Sequence, residues 1–161
     1  MILFLERNSL SGTEFVSKCL LYLKNFIDVE ITEPQYKIGE FGKPSFANMD
    51  IEFSCSHSNG VSAALFGNVS CGVDIEKHRK VDFGGLVNKY FFDKDIDNVN
   101  MFFDEWCRRE AYSKRLGTAL AANIRKEPEL SVNVPYLKGW SLAVSGNDGQ
   151  PLIIFDLDIL A

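Results

Sequence analysis

Phe103, Trp106, Cys107, Glu110, Lys114 and Gly117 follow one another at helical spacing along a single stripe. The periodicity predicts a helix over about Met101–Leu116, the clearest in the chain, ending near Gly117. Around it the pattern changes to short strands. Ile2–Leu5 is a brief apolar run, and Ile51, Phe53 and Cys55 alternate with Glu52, Ser54 and Ser56. Val61–Phe66, Ser70–Glu76, Glu129–Val134, Trp140–Val144 and Leu152–Leu157 read as further strands, and Val29–Thr32 as a short one. Gly39–Pro44 reads as a loop and Ser56–Gly60 as a turn, while Asn147-Asp148-Gly149 signals a hairpin between the last two strands. A second amphipathic helix is expected over Phe15–Phe26, behind a segment rich in capping residues, and a weaker one over Phe83–Phe92. The class is therefore α+β: a mainly antiparallel sheet packed against one long and one or two shorter helices.

At 161 residues, one domain is expected. No run of eighteen apolar residues occurs, and the N-terminus lacks a basic stretch ahead of its short apolar one. Neither a membrane span nor a secretory signal is expected, and the location read from this is cytoplasmic. A net charge of −5 argues against a nucleic-acid partner but leaves room for a local basic patch. Cys19, Cys55, Cys71 and Cys107 form no CxxC pair, so reduced, buried thiols are expected rather than a zinc site.

Gly72-Val73-Asp74-Ile75-Glu76 carries the first chemical signal. On a strand, Asp74 and Glu76 share a face at about 6–7 Å spacing, with Val73 and Ile75 turned to the core. A divalent cation explains such a pair, because hard cations take carboxylate and phosphate oxygens; a solvated edge strand explains it as well. Glu110 on the core-facing helix stripe is costly unless something positive meets it. Either Lys114, four residues on, or a metal shared with Asp74 and Glu76 supplies that charge. Ser54-Cys55-Ser56-His57-Ser58 could grip a phosphate or form a polar turn, and Lys77-His78-Arg79-Lys80 could attract an anion or face solvent.

Taken in order, Gly42-Lys43-Pro44, Phe53-x-x-Ser56-His57-Ser58, Gly72-Val73-Asp74-Ile75-Glu76, Tyr90-Phe91-Phe92 and Trp106-x-x-Arg109-Glu110-Ala111-x-x-Lys114-x-x-Gly117 resemble the 4′-phosphopantetheinyl transferase superfamily. The order is that of its surfactin-synthetase-activating type. The match spans residues 42–120. The resemblance implies a 4′-phosphopantetheinyl transferase-like fold over 1–161, with 1–38 a shortened N-terminal part and 39–161 the core bearing the motifs. It implies transfer of the 4′-phosphopantetheine of coenzyme A to a serine of an apo acyl or peptidyl carrier protein, with release of 3′,5′-ADP. Asp74, Glu76 and Glu110 would hold magnesium, or manganese in its place. Asp74, Glu110 and Lys114 would do the catalytic work, and Lys43, Ser56, His57 and Lys114 would bind coenzyme A. Docking of the carrier is expected near Phe83–Phe92, and a second subunit could complete the coenzyme A cleft.

Three positions depart from the family pattern. Arg109 stands for a Lys, Gly117-Thr118-Ala119 for Gly-x-Gly, and Ile96 for a Glu proposed elsewhere as base. That leaves Glu110, a water held by the metal, or a neighbouring Asp for the role. A non-catalytic member binding coenzyme A or a carrier, and a metal-dependent phosphodiesterase, are the alternative readings.

Overall fold

Local chemistry accounts for where the main elements begin and end. The computed structural model describes residues 1–27, 30–91, 94–146, 149 and 151–160, for Leu160 the backbone alone. Strand β1 (Ile2–Arg7) leads to helix α1 (Gly12–Leu23), which opens on a capping box between Ser11 and Glu14. Strands β2 (Tyr36–Ile38) and β3 (Pro44–Phe46) flank the Gly39–Pro44 segment, so the expected loop is the turn of a small hairpin. Strands β4 (Glu52–Ser58) and β5 (Val61–Gly67) follow. Their turn is Asn59-Gly60 alone, with φ of 44° and 77°, the two positive values of a tight hairpin. The strand therefore runs through Ser56, His57 and Ser58, which the sequence reading had placed in a turn.

Strand β6 (Gly72–Lys77) precedes α2 (Gly84–Tyr90), α3 (Val99–Leu116) and the short α4 (Leu120–Asn123). Asn98 caps α3 by accepting from the amides of Asn100 and Met101, and Gly117 ends it at φ 64°. Strands β7 (Ser131–Asn133), β8 (Trp140–Ser145) and β9 (Ile153–Asp156) and helix α5 (Leu157–Leu160) complete the chain.

The α+β class holds, but the strands form three sheets, in the orders β4-β5-β1-β9, β2-β3 and β6-β8-β7. Most pairings are antiparallel, while β9 runs parallel to β1. This corrects the expected hairpin of the last two strands, since β8 and β9 belong to different sheets. Asn147 and Asp148 of that signal lie outside the described residues. So does Val29 of the expected strand over Val29–Thr32, and residues 30–32 are not in a strand.

Two sheets pack face to face and a helix covers each outer side. Val73, Ile75, Leu142 and Val144 meet Leu3, Leu5, Ala63 and Leu65 between them. Phe15, Cys19 and Leu23 of α1 pack on Phe4, Phe53 and Phe66 outside the first sheet. Cys107 and Ala111 of α3 lie on Ala143 outside the second. Burial of each large side chain contributes about 1.5–3 kcal/mol. Gly72 is the point of closest approach: a Cβ there would stand 1.9 Å from the Ala111 carbonyl oxygen and 2.6 Å from the Arg115 nitrogen. Only a glycine lets α3 lie this close to β6, and that closeness brings the helix side chains to the strand carboxylates.

Candidate active site

Strand alternation sets the first half of the site. Val73 and Ile75 are buried between the sheets, so Asp74 and Glu76 project together toward α3, as the sequence reading expected. Ser54, Ser56 and Ser58 line one side of β4 in the same two-residue period. Their hydroxyls accept from the backbone N–H groups of Val73, Ile75 and Lys77, at 3.1, 3.5 and 3.1 Å. Side chains thus replace a main-chain ladder where the two sheets meet. The hydroxyls also donate to the acids, Ser56 to Asp74 Oδ1 at 2.8 Å and Ser58 to Glu76 Oε2 at 3.0 Å.

Sequence reasoning missed this seam, offering the three hydroxyls as a phosphate grip or a polar turn rather than as a tie between strands. The serine at every second position was the available signal. His57 lies on the opposite side of the strand and is exposed, so it does not join Ser56 at the acids.

The second half comes from α3. Lys114 Nζ donates to Asp74 Oδ1 at 2.8 Å and to Ser56 Oγ at 3.0 Å. The ion pair with the helix lysine is therefore made by Asp74, a residue 40 positions away, rather than by Glu110 on the same turn. Asp74 is 6% exposed, and its Oδ2 is buried without a hydrogen-bond partner. Glu110 lies within electrostatic reach of both β6 carboxylates. Burial pushes its carboxyl above the usual range, Asp74 and Glu76 push the same way, and Lys114 opposes them. Burial works against the charge on Lys114, but Asp74 and Glu110 outweigh it and hold the ammonium above its ordinary value. Arg79 meets Glu76 at 2.9 Å. Cys107 sits beside Asp74, and burial together with that carboxylate raises its thiol far out of the reactive range.

A cleft of about 310 Å³ opens beside this cluster, lined by Lys43, Ser54, Glu110, Lys114, Gly117 and Leu120 among others. The β2–β3 turn delivers Lys43. Its Nζ reaches Ser70 Oγ and the carbonyls of Cys71 and Arg115, each at 3.2 Å, and burial lowers its pKa. It ties the C-terminal end of α3 to the start of β6 while its stem borders the cleft.

Two other motif positions are structural. Arg109, with no exposed side-chain surface, bonds Glu105 at 2.6 Å, the Ile124 carbonyl and the Lys126 carbonyl at 2.9 Å, and stacks on Phe91. Ile96 packs in the apolar cluster of Phe91, Phe102, Phe103 and Ile124. Phe92 of the paired aromatic motif lies outside the described residues. Among the described residues, no three His, Cys, Asp or Glu side chains stand close enough together to form a ready-made metal cage. Nor is any described helix long and apolar enough to cross a membrane. The cysteines are free thiols, as expected; Cys19, Cys71 and Cys107 are buried and Cys55 is half-buried.

No protein-family model matches the chain. It is 27% identical over 121 residues to the 4′-phosphopantetheinyl transferase gsp of Aneurinibacillus migulanus, covering 70% of this chain and 49% of that protein. It is 30% identical over 104 residues to a Haemophilus influenzae protein named as a candidate 4′-phosphopantetheinyl transferase, covering 56% and 44%. The chain thus spans about half the length of these curated relatives. The resemblance first carried by the motifs is shared by two relatives that bear the same family name.

Proposed function

We propose that the chain transfers the 4′-phosphopantetheine of coenzyme A to a serine of an apo acyl or peptidyl carrier protein. One observation carries the reading: Lys114 of α3 bonds Asp74, 40 residues away on β6, with Glu110 within electrostatic reach of both, beside a cleft that Glu110, Lys114 and Lys43 line. The likeness to two proteins of that name supports it. Lys114 supplies positive charge for the phosphates of coenzyme A, Ser56 bonds both Lys114 and Asp74, and Lys43 borders the same cleft with its ammonium bonded to Ser70 and to the Cys71 and Arg115 carbonyls. His57, exposed on the far side of its strand, is the weakest of the proposed coenzyme A contacts.

In the transfer, the carrier serine oxygen bonds to the β-phosphorus as the pyrophosphate bridge breaks, and 3′,5′-ADP departs with the bridging oxygen. Glu110 receives the serine proton, its carboxyl held above the usual range by burial and the neighbouring acids, and Ile96, packed in an apolar cluster, offers no competing group.

The donor set fits a divalent ion. Asp74 Oδ2 is buried with no hydrogen-bond partner, and the Glu110 charge is disfavoured by burial first and then by Asp74 and Glu76, which a cation would offset. Magnesium, or manganese in its place, would be held by Asp74 and Glu110, with Glu76 as the third carboxylate. Such ions ordinarily take only one or two protein carboxylates alongside substrate phosphates, so a preformed cage is not required. When bound, the ion would add positive charge beside the pyrophosphate. Four free thiols, three of them buried, support a reducing, cytoplasmic setting.

Intact-mass measurement on a panel of apo carriers with coenzyme A and magnesium tests the reading. The expected result is gain of the phosphopantetheine mass, cut at least ~100-fold in Asp74→Ala and Glu110→Ala, of the order that loss of a main electrostatic contact costs. Undiminished transfer in both variants would overturn the site. Coenzyme A binding without transfer to any carrier would favour a non-catalytic binding role, the reading that Ile96 supports. Coenzyme A hydrolysis with no carrier present would point to a phosphodiesterase. A chain that binds coenzyme A as a monomer in light scattering would exclude a cleft shared between subunits.

A further inference from the structure

The two β6 carboxylates are each matched by a cation of the chain itself. Lys114 sits on Asp74 and Arg79 on Glu76, with a serine hydroxyl completing each contact. The two pairs are not alike. Arg79 is 62% exposed on its side chain and joins Glu76 from the surface. Lys114 lies inside the cluster, bonded to both Asp74 Oδ1 and Ser56 Oγ; of these two acids, Asp74 is the one whose second oxygen is buried with no hydrogen-bond partner.

We propose that Lys114 is a built-in placeholder cation, which neutralises Asp74 while the site is empty and must be displaced for a divalent ion to bind there. The inference rests on the metal-dependent reading above and adds a regulation to the same site.

The physical case is one of charge and reach. An ammonium and a divalent ion on the two oxygens of one carboxylate are like charges at close range, and a half-buried site screens them poorly. One must give way. Asp74 is held by Ser56 and by its place in the strand, with 8% of its side chain exposed, whereas Lys114 has 30% exposed and a flexible four-carbon stem. The lysine is therefore the partner that moves. Its position on the cleft wall means that, once released, its ammonium is free for an anionic group there. The empty site consequently favours the metal-free state, and the ion is admitted against a resident competitor.

Manganese binding without coenzyme A or carrier tests this apart from catalysis, by counting free Mn²⁺ with electron paramagnetic resonance at neutral pH. Lys114→Met is expected to bind Mn²⁺ at least tenfold more tightly than the native chain. Lys114→Arg, which keeps the charge, should stay within a few-fold of native. Equal or weaker binding by Lys114→Met overturns the proposal, as does absence of Mn²⁺ binding in both proteins.

Should Lys114→Met not fold, the native chain decides the matter. With ¹⁵N-labelled lysine, the Lys114 ammonium resonance, protected by its bonds to Asp74 and Ser56, is expected to shift and lose that protection as Mg²⁺ is added. An unchanged resonance at saturating Mg²⁺ overturns the proposal. Phosphopantetheine transfer persisting beside a negative result here would leave the transferase reading standing, so the two failures are distinguishable.

Discussion

Ser54 shows how much a single hydroxyl carries at the seam between the sheets. It is 4% exposed, and its oxygen accepts the Val73 amide. Ser54→Ala leaves that buried N–H unmet, at a cost of about 1–3 kcal/mol. A lower urea midpoint with an unchanged slope is the expected reading. Glu110 behaves in the opposite sense. Its carboxyl titrates above the usual range, so the folded state holds the proton more tightly than the unfolded chain does. Stability from this group is complete below the ordinary carboxylate pKa and falls as pH rises through the raised value. In metal-free buffer, Glu110→Gln should therefore match the native chain in acid and melt higher at neutral pH. Under the proposed metal reading, added Mg²⁺ raises the native melting temperature and leaves that of the variant unmoved.

The elements depend on two positions that a motif reading treats as minor. Gly72 sets the distance between β6 and α3, since any Cβ there would collide with helix backbone. Gly72→Ala is expected to cost at least the ~1–3 kcal/mol of an overpacked core, because backbone rather than a side-chain tip must move. Retained activity with an unchanged melting temperature would contradict this close-contact role. Arg109, paired with Glu105 on the same helix, secures the other side of α3 to the segment after α4 through the Ile124 and Lys126 carbonyls. Arg109→Met leaves Glu105 with Arg108 as its remaining partner and the Ile124 and Lys126 carbonyls unmet, each lost contact costing about 1–3 kcal/mol. Calorimetry of that variant checks the value, and its loss of stability should exceed that of Ser54→Ala.

At the scale of the molecule, the last strand closes the first sheet. β9 pairs with β1, and Phe155 lies 5.4 Å from the Phe4 ring and 4.5 Å from that of Phe26. A chain cut before Ile153 exposes the β1 edge, and size-exclusion chromatography is expected to show it associating. What the sequence determined was local. The alternation of Val73 and Ile75 with Asp74 and Glu76, the helical stripe ending at Gly117, and the capping residues ahead of Phe15 each depend on periods of a few residues, and each appears in the fold. The ordered motifs resemble the family whose name both relatives bear. Only the tertiary structure decided that Lys114 meets Asp74 rather than Glu110, that three serines stitch β4 to β6, and that β9 joins β1 instead of β8. These contacts join residues far apart along the chain, and the choice among possible partners rests on which surfaces packing brings together, a quantity that no short window of sequence contains.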